Sequence, residues 1–182
     1  DRWVISQLNE LIQGATEKLD KYDVTGAARA IEDFVVNDLS LWYIRRSRKR
    51  FKEAAGTLAF VFQTVSKLTA PFIPFLSEEI YENVSRHYEK RSRSVHLAYW
   101  PKVDKKLIDK KLNQKMEKAR ETVNLALAER AKAGIKVRQP LNKLQITNYK
   151  LQKEKELLEL IKDEVNIKKI TFGKTLKLDT KI

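Results

Sequence analysis

The chain contains no cysteine, which excludes disulfides and thiolate metal ligation. It has only two histidines, His87 and His96, nine residues apart and without an obvious companion ligand, so a metal centre and a Ser-His-Asp arrangement both lack their usual carriers. The five glycines form no phosphate-cradling loop. No apolar run reaches the roughly 18 residues of a membrane span, and no leader opens the chain, so a soluble, cytoplasmic protein is expected with no membrane partner. No tract of low complexity and no internal repeat interrupts the 182 residues, which suffice for one sizeable core or a domain with a small appendage.

What is present is cationic charge. Thirty-seven Lys and Arg face 24 Asp and Glu, a formal net charge of +13. Such an excess favours a polyanionic partner, because each cation set on a phosphate releases a condensed counterion. Charge alone leaves anionic membrane and acidic protein as competitors. Its placement is more telling: residues 1–44 carry four cations against eight acids, whereas residues 45–52 carry six cations and no acid.

Apolar spacing predicts a mostly helical chain. Ile5, Leu8, Ile12, Ala15 and Leu19 recur at three and four, with Tyr22 closing the stripe, and predict a helix over 1–21. Asp23 or Thr25 can cap the next helix, over about 26–51. There Ala28, Ile31, Val35, Leu39 and Trp42 line one face while Phe34, Val36, Leu41, Tyr43 and Ile44 fill the others, so residues 34–44 are expected to run through the middle of a bundle. The helix should leave that bundle near Arg45. A third helix over 52–69 stops before Pro71, and a fourth covers about 74–86. Residues 94–101 alternate weakly and suit a short edge strand or an extended loop. A long fifth helix, 107–133, with Leu112, Met116, Ala119, Val123, Leu127 and Ala131 inward, ends at Gly134. Beyond it the period changes to strand (141–146), helix (151–164), strand (166–172) and a possible strand (175–178), a small α/β unit with parallel pairing through the helix. The predicted domains are a helical bundle, 1–134, and this unit, 135–182.

Two segments could meet an anion. Arg45, Arg46, Arg48 and Lys49 lie at helical spacing; only Lys49 has an acid four residues away, Glu53, and guanidinium forks match phosphate oxygens. A solvated helix end is the plainer alternative. The second segment joins a helix stop to an extended run and carries Lys132, Lys136, Arg138 and Gln139 beside backbone amides; a charged linker is its alternative. Trp42 and Tyr43 could stack on bases, but core packing is the expectation. Tyr99 and Trp100, in a basic loop, are freer. The lysines at 102, 105, 106, 110, 111, 115 and 118 are read as a general electrostatic surface.

With these residues identified, the chain resembles the anticodon-binding region of isoleucyl-tRNA synthetases, class Ia aminoacyl-tRNA synthetases. Asp1-Arg2-Trp3-Val4-Ile5-Ser6-Gln7-Leu8-Asn9 is similar to the opening of that region in the isoleucine, valine and leucine enzymes. Narrower is Ala27-Ala28-Arg29-Ala30-Ile31-Glu32-Asp33-Phe34-Val35-Val36-Asn37-Asp38-Leu39-Ser40 followed by Trp42-Tyr43-Ile44-Arg45-Arg46-Ser47-Arg48-Lys49-Arg50-Phe51, which resembles the isoleucine enzymes and disfavours the valine ones. Thr69–Tyr81, Ser94–Leu97 and Lys132–Leu141 resemble later motifs, and the likeness fades after about residue 150. Members often have Asn at Leu41 and Trp at Lys52, the two departures noted.

The resemblance implies a class Ia helical bundle with a small α/β unit after it, binding the anticodon arm of an isoleucine-specific tRNA. It implies a parent ligase that uses ATP, with Mg, to join isoleucine to that tRNA, through catalytic and editing domains upstream in the same chain. No cofactor is expected within these residues: the family's His-x-Gly-His and Lys-Met-Ser-Lys-Ser signatures are absent, and the one methionine, Met116, sits in Lys115-Met116-Glu117-Lys118. A basic helical module for protein or membrane contact is the alternative of another class.

Overall fold

The structure, a computed structural model, describes residues 1–86 and 92–179; His87 lies outside them. The helices are α1 (Arg2–Asp20), α2 (Val24–Asp33), α3 (Phe51–Thr69), α4 (Pro74–Ser85), α5 (Lys110–Lys132) and α6 (Lys155–Val165), and the strands are β1 (Leu141–Ile146), β2 (Ile167–Phe172) and β3 (Lys177–Leu178). The expectation of a mostly helical chain with a small sheet near its C-terminus is met. By compactness the chain divides into Asp1–Lys110 and Lys111–Ile182, ahead of the 134/135 boundary expected from sequence. Within the second unit α5 is tied to the sheet region by the Lys115–Glu154 ion pair and by Arg130, which bonds the turn before β1.

In the first unit α1 packs on α2, and α3 packs on α4. Val4, Leu8, Ile12 and Ala15 of α1 are buried, as are Ala27 and Ile31 of α2 and Leu58, Val61, Val65 and Leu68 of α3. Each large aliphatic side chain so enclosed contributes roughly 1.5–3 kcal/mol. Tyr22 corrects the α1 stripe: it adopts φ 60°, the left-handed position after a helix, and stands 91% exposed, because the chain must turn there to enter α2. Asp23 is the cap, accepting from Gly26 N at 2.9 Å. A Cβ on Gly26 would lie 2.1 Å from the Asp23 carboxylate, so any other residue there would force the capping side chain to shift.

Residues 94–101 form no strand. Val95–Leu97 is a short 3-10 turn held by Glu78 of α4, whose Oε2 accepts from Val95 N and Ser94 Oγ, both at 2.8 Å, while Val95 buries against Ala70 and Tyr81. The chain then follows α1 and bonds to its polar residues: Trp100 Nε1 donates to Thr16 Oγ1 (2.8 Å), Asp104 N to Asn9 Oδ1 (2.9 Å) and Asp109 N to Ser6 Oγ (2.8 Å). Irregular backbone with no ladder partner must find acceptors elsewhere, and α1 supplies them.

In the second unit β1 pairs parallel to β2, from Leu141 opposite Ile167 to Ile146 opposite Phe172, with α6 between them in sequence; β3 pairs antiparallel on the other edge. Leu141, Leu144 and Ile146 of β1 are buried, as are Leu157, Ile161 and Val165 of α6. Along α5 the buried face is Asn113, Met116, Ala119, Thr122, Val123, Ala126 and Arg130, rotated from the predicted stripe so that Leu112 and Leu127 are half-buried and Ala131 is exposed. Burial of Arg130 at the end of α5 carries the difference.

Candidate nucleic-acid interface

The cationic block is reached through an unusual stretch of helix. Phe34–Ile44 is wound with wide π-type turns, a form that ordinarily occurs as single turns and often at functional sites. Widening each turn toward five residues changes which side chains share a face. Phe34, Leu39, Trp42 and Tyr43 are buried, while Val36 (44%) and Leu41 (58%), five apart, are exposed. The stretch therefore is not enclosed on all sides as its composition predicts; one strip of it meets solvent. Leu41, which departs from the Asn of the resembling family, lies on that strip and so costs no packing.

Trp42 and Tyr43 are core residues, as expected, and each carries a cation over its ring. The Arg46 guanidinium lies 5.8 Å from the Trp42 ring centroid and that of Arg50 5.7 Å from Tyr43. The helix does not leave the bundle at Arg45. Ser47 is buried again, and the chain tightens into a 3-10 turn at Arg48–Arg50 before Arg50, with φ −124° and ψ 36°, breaks the helix and α3 begins. The block is thus a junction between two helices, with cations on its outer side.

Its cations are not equivalent. Arg50 Nη2 donates to Asp1 Oδ1 at 2.7 Å, the Tyr43 hydroxyl donates to the same carboxylate oxygen, and Arg50 also reaches Ser47 Oγ at 3.3 Å. Arg45 Nε donates to Leu41 O at 2.9 Å, and Arg46 is half-buried on Trp42. Arg48 and Lys49 are exposed and have no hydrogen bond or ion pair among the described residues. Of the four cations nominated from sequence, these two are open to a phosphate without breaking an existing contact.

The second candidate segment belongs to the other unit. Gly134 takes φ 68° and closes α5, as its position predicts. Lys136–Gln139 then forms a tight turn, Gln139 N bonding Lys136 O at 3.0 Å, and the Gln139 side chain accepts from Lys136 N at 3.1 Å. Gln139 is therefore a turn-former in this structure, and the amide it was expected to leave open at Lys136 is occupied. Lys132 pairs with Glu129 at 2.7 Å. Lys136 and Arg138 are exposed and without an ion-pair partner among the described residues.

The residue that shapes this turn was not among the candidates. Arg130, 1% exposed, donates through Nη2 to the carbonyls of Lys136 and Gln139, while Asn166, itself in the left-handed conformation, donates to Val137 O at 2.9 Å. Burial pushes the Arg130 guanidinium pKa below its ordinary value, yet arginine keeps its proton across the range in which proteins fold. One fixed guanidinium thus orders a turn that carries two outward cations. The only sequence signal was its phase, four residues after the buried Ala126. Elsewhere, Tyr99 is exposed whereas Trp100 is tied to Thr16, and no three His, Asp or Glu side chains converge as a metal site would need, among the described residues.

Comparison with known families settles what this arrangement belongs to. Residues 1–146 match the family model described as the anticodon-binding domain of tRNA ligase. The chain belongs to that family. It is 43% identical over 186 residues to the isoleucine–tRNA ligase of Clostridium tetani, covering 97% of this chain and 18% of that protein. The isoleucine–tRNA ligases of Thermus thermophilus (43% over 183 residues, 93% of this chain) and Pyrococcus horikoshii (39% over 186 residues, 96% of this chain) are similarly related. The chain spans less than a fifth of the length of these relatives, 18% and 17% for the latter two. In this anticodon-binding domain the cationic helix junction and the Arg130 turn fall inside the matched residues. No helix among the described residues is long and apolar enough to cross a membrane.

Proposed function

We propose that the chain is the anticodon-arm binding part of an isoleucine–tRNA ligase and that it works by positioning. The observation that carries this is the pair Arg48 and Lys49, exposed and partner-free on a helix junction whose Arg45, Arg46 and Arg50 are held by Leu41, Trp42 and Asp1. Phosphate contacts set register and orientation without reading sequence. A junction whose backbone is held by these contacts suits that task, since little backbone freedom remains to be lost on binding. Arg45 and Arg46 flank the pair and add to its field, while Lys136 and Arg138, with Lys132 and Gln139 beside them, offer a second hold on the RNA. On this reading residues 1–134 form the RNA-binding bundle and 135–182 begin a further domain.

The parent enzyme, on the same reading, is cytoplasmic and joins isoleucine to its tRNA at the expense of ATP with Mg, in catalytic and editing domains outside these residues.

The test is equilibrium binding of the chain to the anticodon stem-loop of isoleucine tRNA across a salt series, beside the valine stem-loop and anionic phospholipid vesicles. Salt-dependent binding to the isoleucine stem-loop, stronger than to the valine one and absent with vesicles, is expected. Equal or better binding to vesicles would overturn the reading in favour of a membrane-contact module.

A further inference from the structure

A second cationic feature lies wholly within the second unit. Lys111, Gln114, Lys115 and Lys118 follow one another at close helical spacing along a single face of α5, and with Lys150 and Leu151 they line a cavity of about 200 Å³. Leu151 is buried and forms a fixed apolar part of the lining. At about 30 Å³ per water the cavity holds several waters or one phosphate group with part of its hydration.

The charges in this cleft are poorly compensated. Like charges at such helical spacing repel, and a fourth lysine is brought to them by the short 3-10 turn Tyr149–Leu151. Lys115 is paired with Glu154 at 2.7 Å. Lys111, Lys118 and Lys150 have no ion-pair partner among the described residues. Four lysines therefore line the cleft, and one of them is paired with a carboxylate.

The donor set defines the ligand. Ammonium groups only donate, and the Gln114 amide adds donors of its own, so the complement is an anion rich in acceptors. Lysine binds phosphate as a point charge, and point charges on separate elements suit oxygens diverging tetrahedrally from phosphorus. We propose that this cleft is a phosphate-binding site, distinct from the cationic helix junction. Its occupant is either a backbone phosphate of bound RNA or a free polyphosphate. The proposal stands on the lysine cluster and does not depend on the tRNA reading.

The test uses the whole 182-residue chain, with tripolyphosphate and the isoleucine anticodon stem-loop as probes and acetate as the anion control. Compared are the unaltered chain, K118Q/K150Q, K118R/K150R and R48Q/K49Q, each checked for an unchanged unfolding temperature. K118Q/K150Q leaves the Lys115–Glu154 pair intact and removes one cation from each element. It is expected to weaken tripolyphosphate binding at least tenfold, with K118R/K150R within threefold of the unaltered chain. Loss of stem-loop affinity in K118Q/K150Q, with a salt slope smaller by about 0.7–0.9 for each phosphate no longer neutralised, identifies an RNA phosphate as occupant. Loss of tripolyphosphate binding alone identifies a free polyphosphate. If K118Q/K150Q changes neither probe, or acetate competes as well as tripolyphosphate, the proposal falls. Loss of stem-loop binding in R48Q/K49Q alone would then leave the tRNA reading standing without it.

Discussion

Arg50 reaches back 49 residues to Asp1, placing Nη2 at 2.7 Å from Oδ1, and so withdraws one guanidinium from a block that sequence alone shows as uniformly cationic. The same oxygen accepts from Tyr43, whose ring lies beneath Arg50. One carboxylate thereby fixes the start of α1 to the end of the π-type helix.

This division of labour predicts separable mutants. R48Q/K49Q should leave the unfolding temperature unchanged and reduce the slope of log affinity against log salt for the anticodon stem-loop by about 0.7–0.9 for each phosphate left unneutralised. R50Q should keep that slope. Its pair with Asp1 is partly exposed, so the stability cost should be at most about 1 kcal/mol. Salt titrations of both variants check the assignment, and a flattened slope in R50Q with none in R48Q/K49Q would reverse it.

Trp42 should behave as core. Trp42→Ala is expected to cost about 3–5 kcal/mol, as truncation of large buried aromatics does, and to release Arg46 from its ring. Denaturant unfolding measures the loss. A stable variant with lost stem-loop affinity, measured well below its melting point, would instead make Trp42 a base-stacking residue.

Arg130 should resist replacement even by lysine, because a lysine ammonium ends one bond short of Nη2, the single nitrogen that donates to both carbonyls. Arg130→Lys should destabilise the second unit by about 2 kcal/mol, within the range for hydrogen bonds to charged groups. Amide exchange should quicken around Lys136–Gln139. Unchanged exchange there would show that the turn holds itself.

Asp23 gives a pH prediction. The hydrogen bond from Gly26 N, against the opposing effect of desolvation and with help from Lys18, holds its carboxyl below the usual carboxylate range. A folded-state pKa below the unfolded one means that the group's contribution is present above the ordinary carboxylate pKa and is lost as pH falls through the depressed value. D23N keeps an acceptor but cannot titrate. The stability difference between the unaltered chain and D23N should therefore shrink as pH is lowered through that window, and a constant difference would refute the cap's role.

Much of the fold was legible from local pattern. The caps at Asp23 and Gly134, the stop before Pro71 and the strand–helix–strand run from Leu141 to Phe172 each follow from what neighbouring residues can and cannot adopt, and the structure bears these out. The cationic block was legible as charge.

Three features depended on partners distant in sequence or on a change of helical phase. Residues 94–101 make no strand because Glu78 takes the Val95 amide and Leu97 and Ala98 close a tight turn, while Trp100 and the chain beyond it bond to Thr16, Asn9 and Ser6, roughly 84–103 residues earlier, which no period reveals. The 100° pattern failed over Phe34–Ile44 because π-type turns shift the phase, exposing Val36 and Leu41 while burying Trp42 and Tyr43 together. Sequence determined how many cations the chain has and which stretches of it they occupy. Only tertiary structure decided which are free, because a guanidinium already donating to Asp1 or to the carbonyls of Lys136 and Gln139 must give up that bond before it can hold a phosphate.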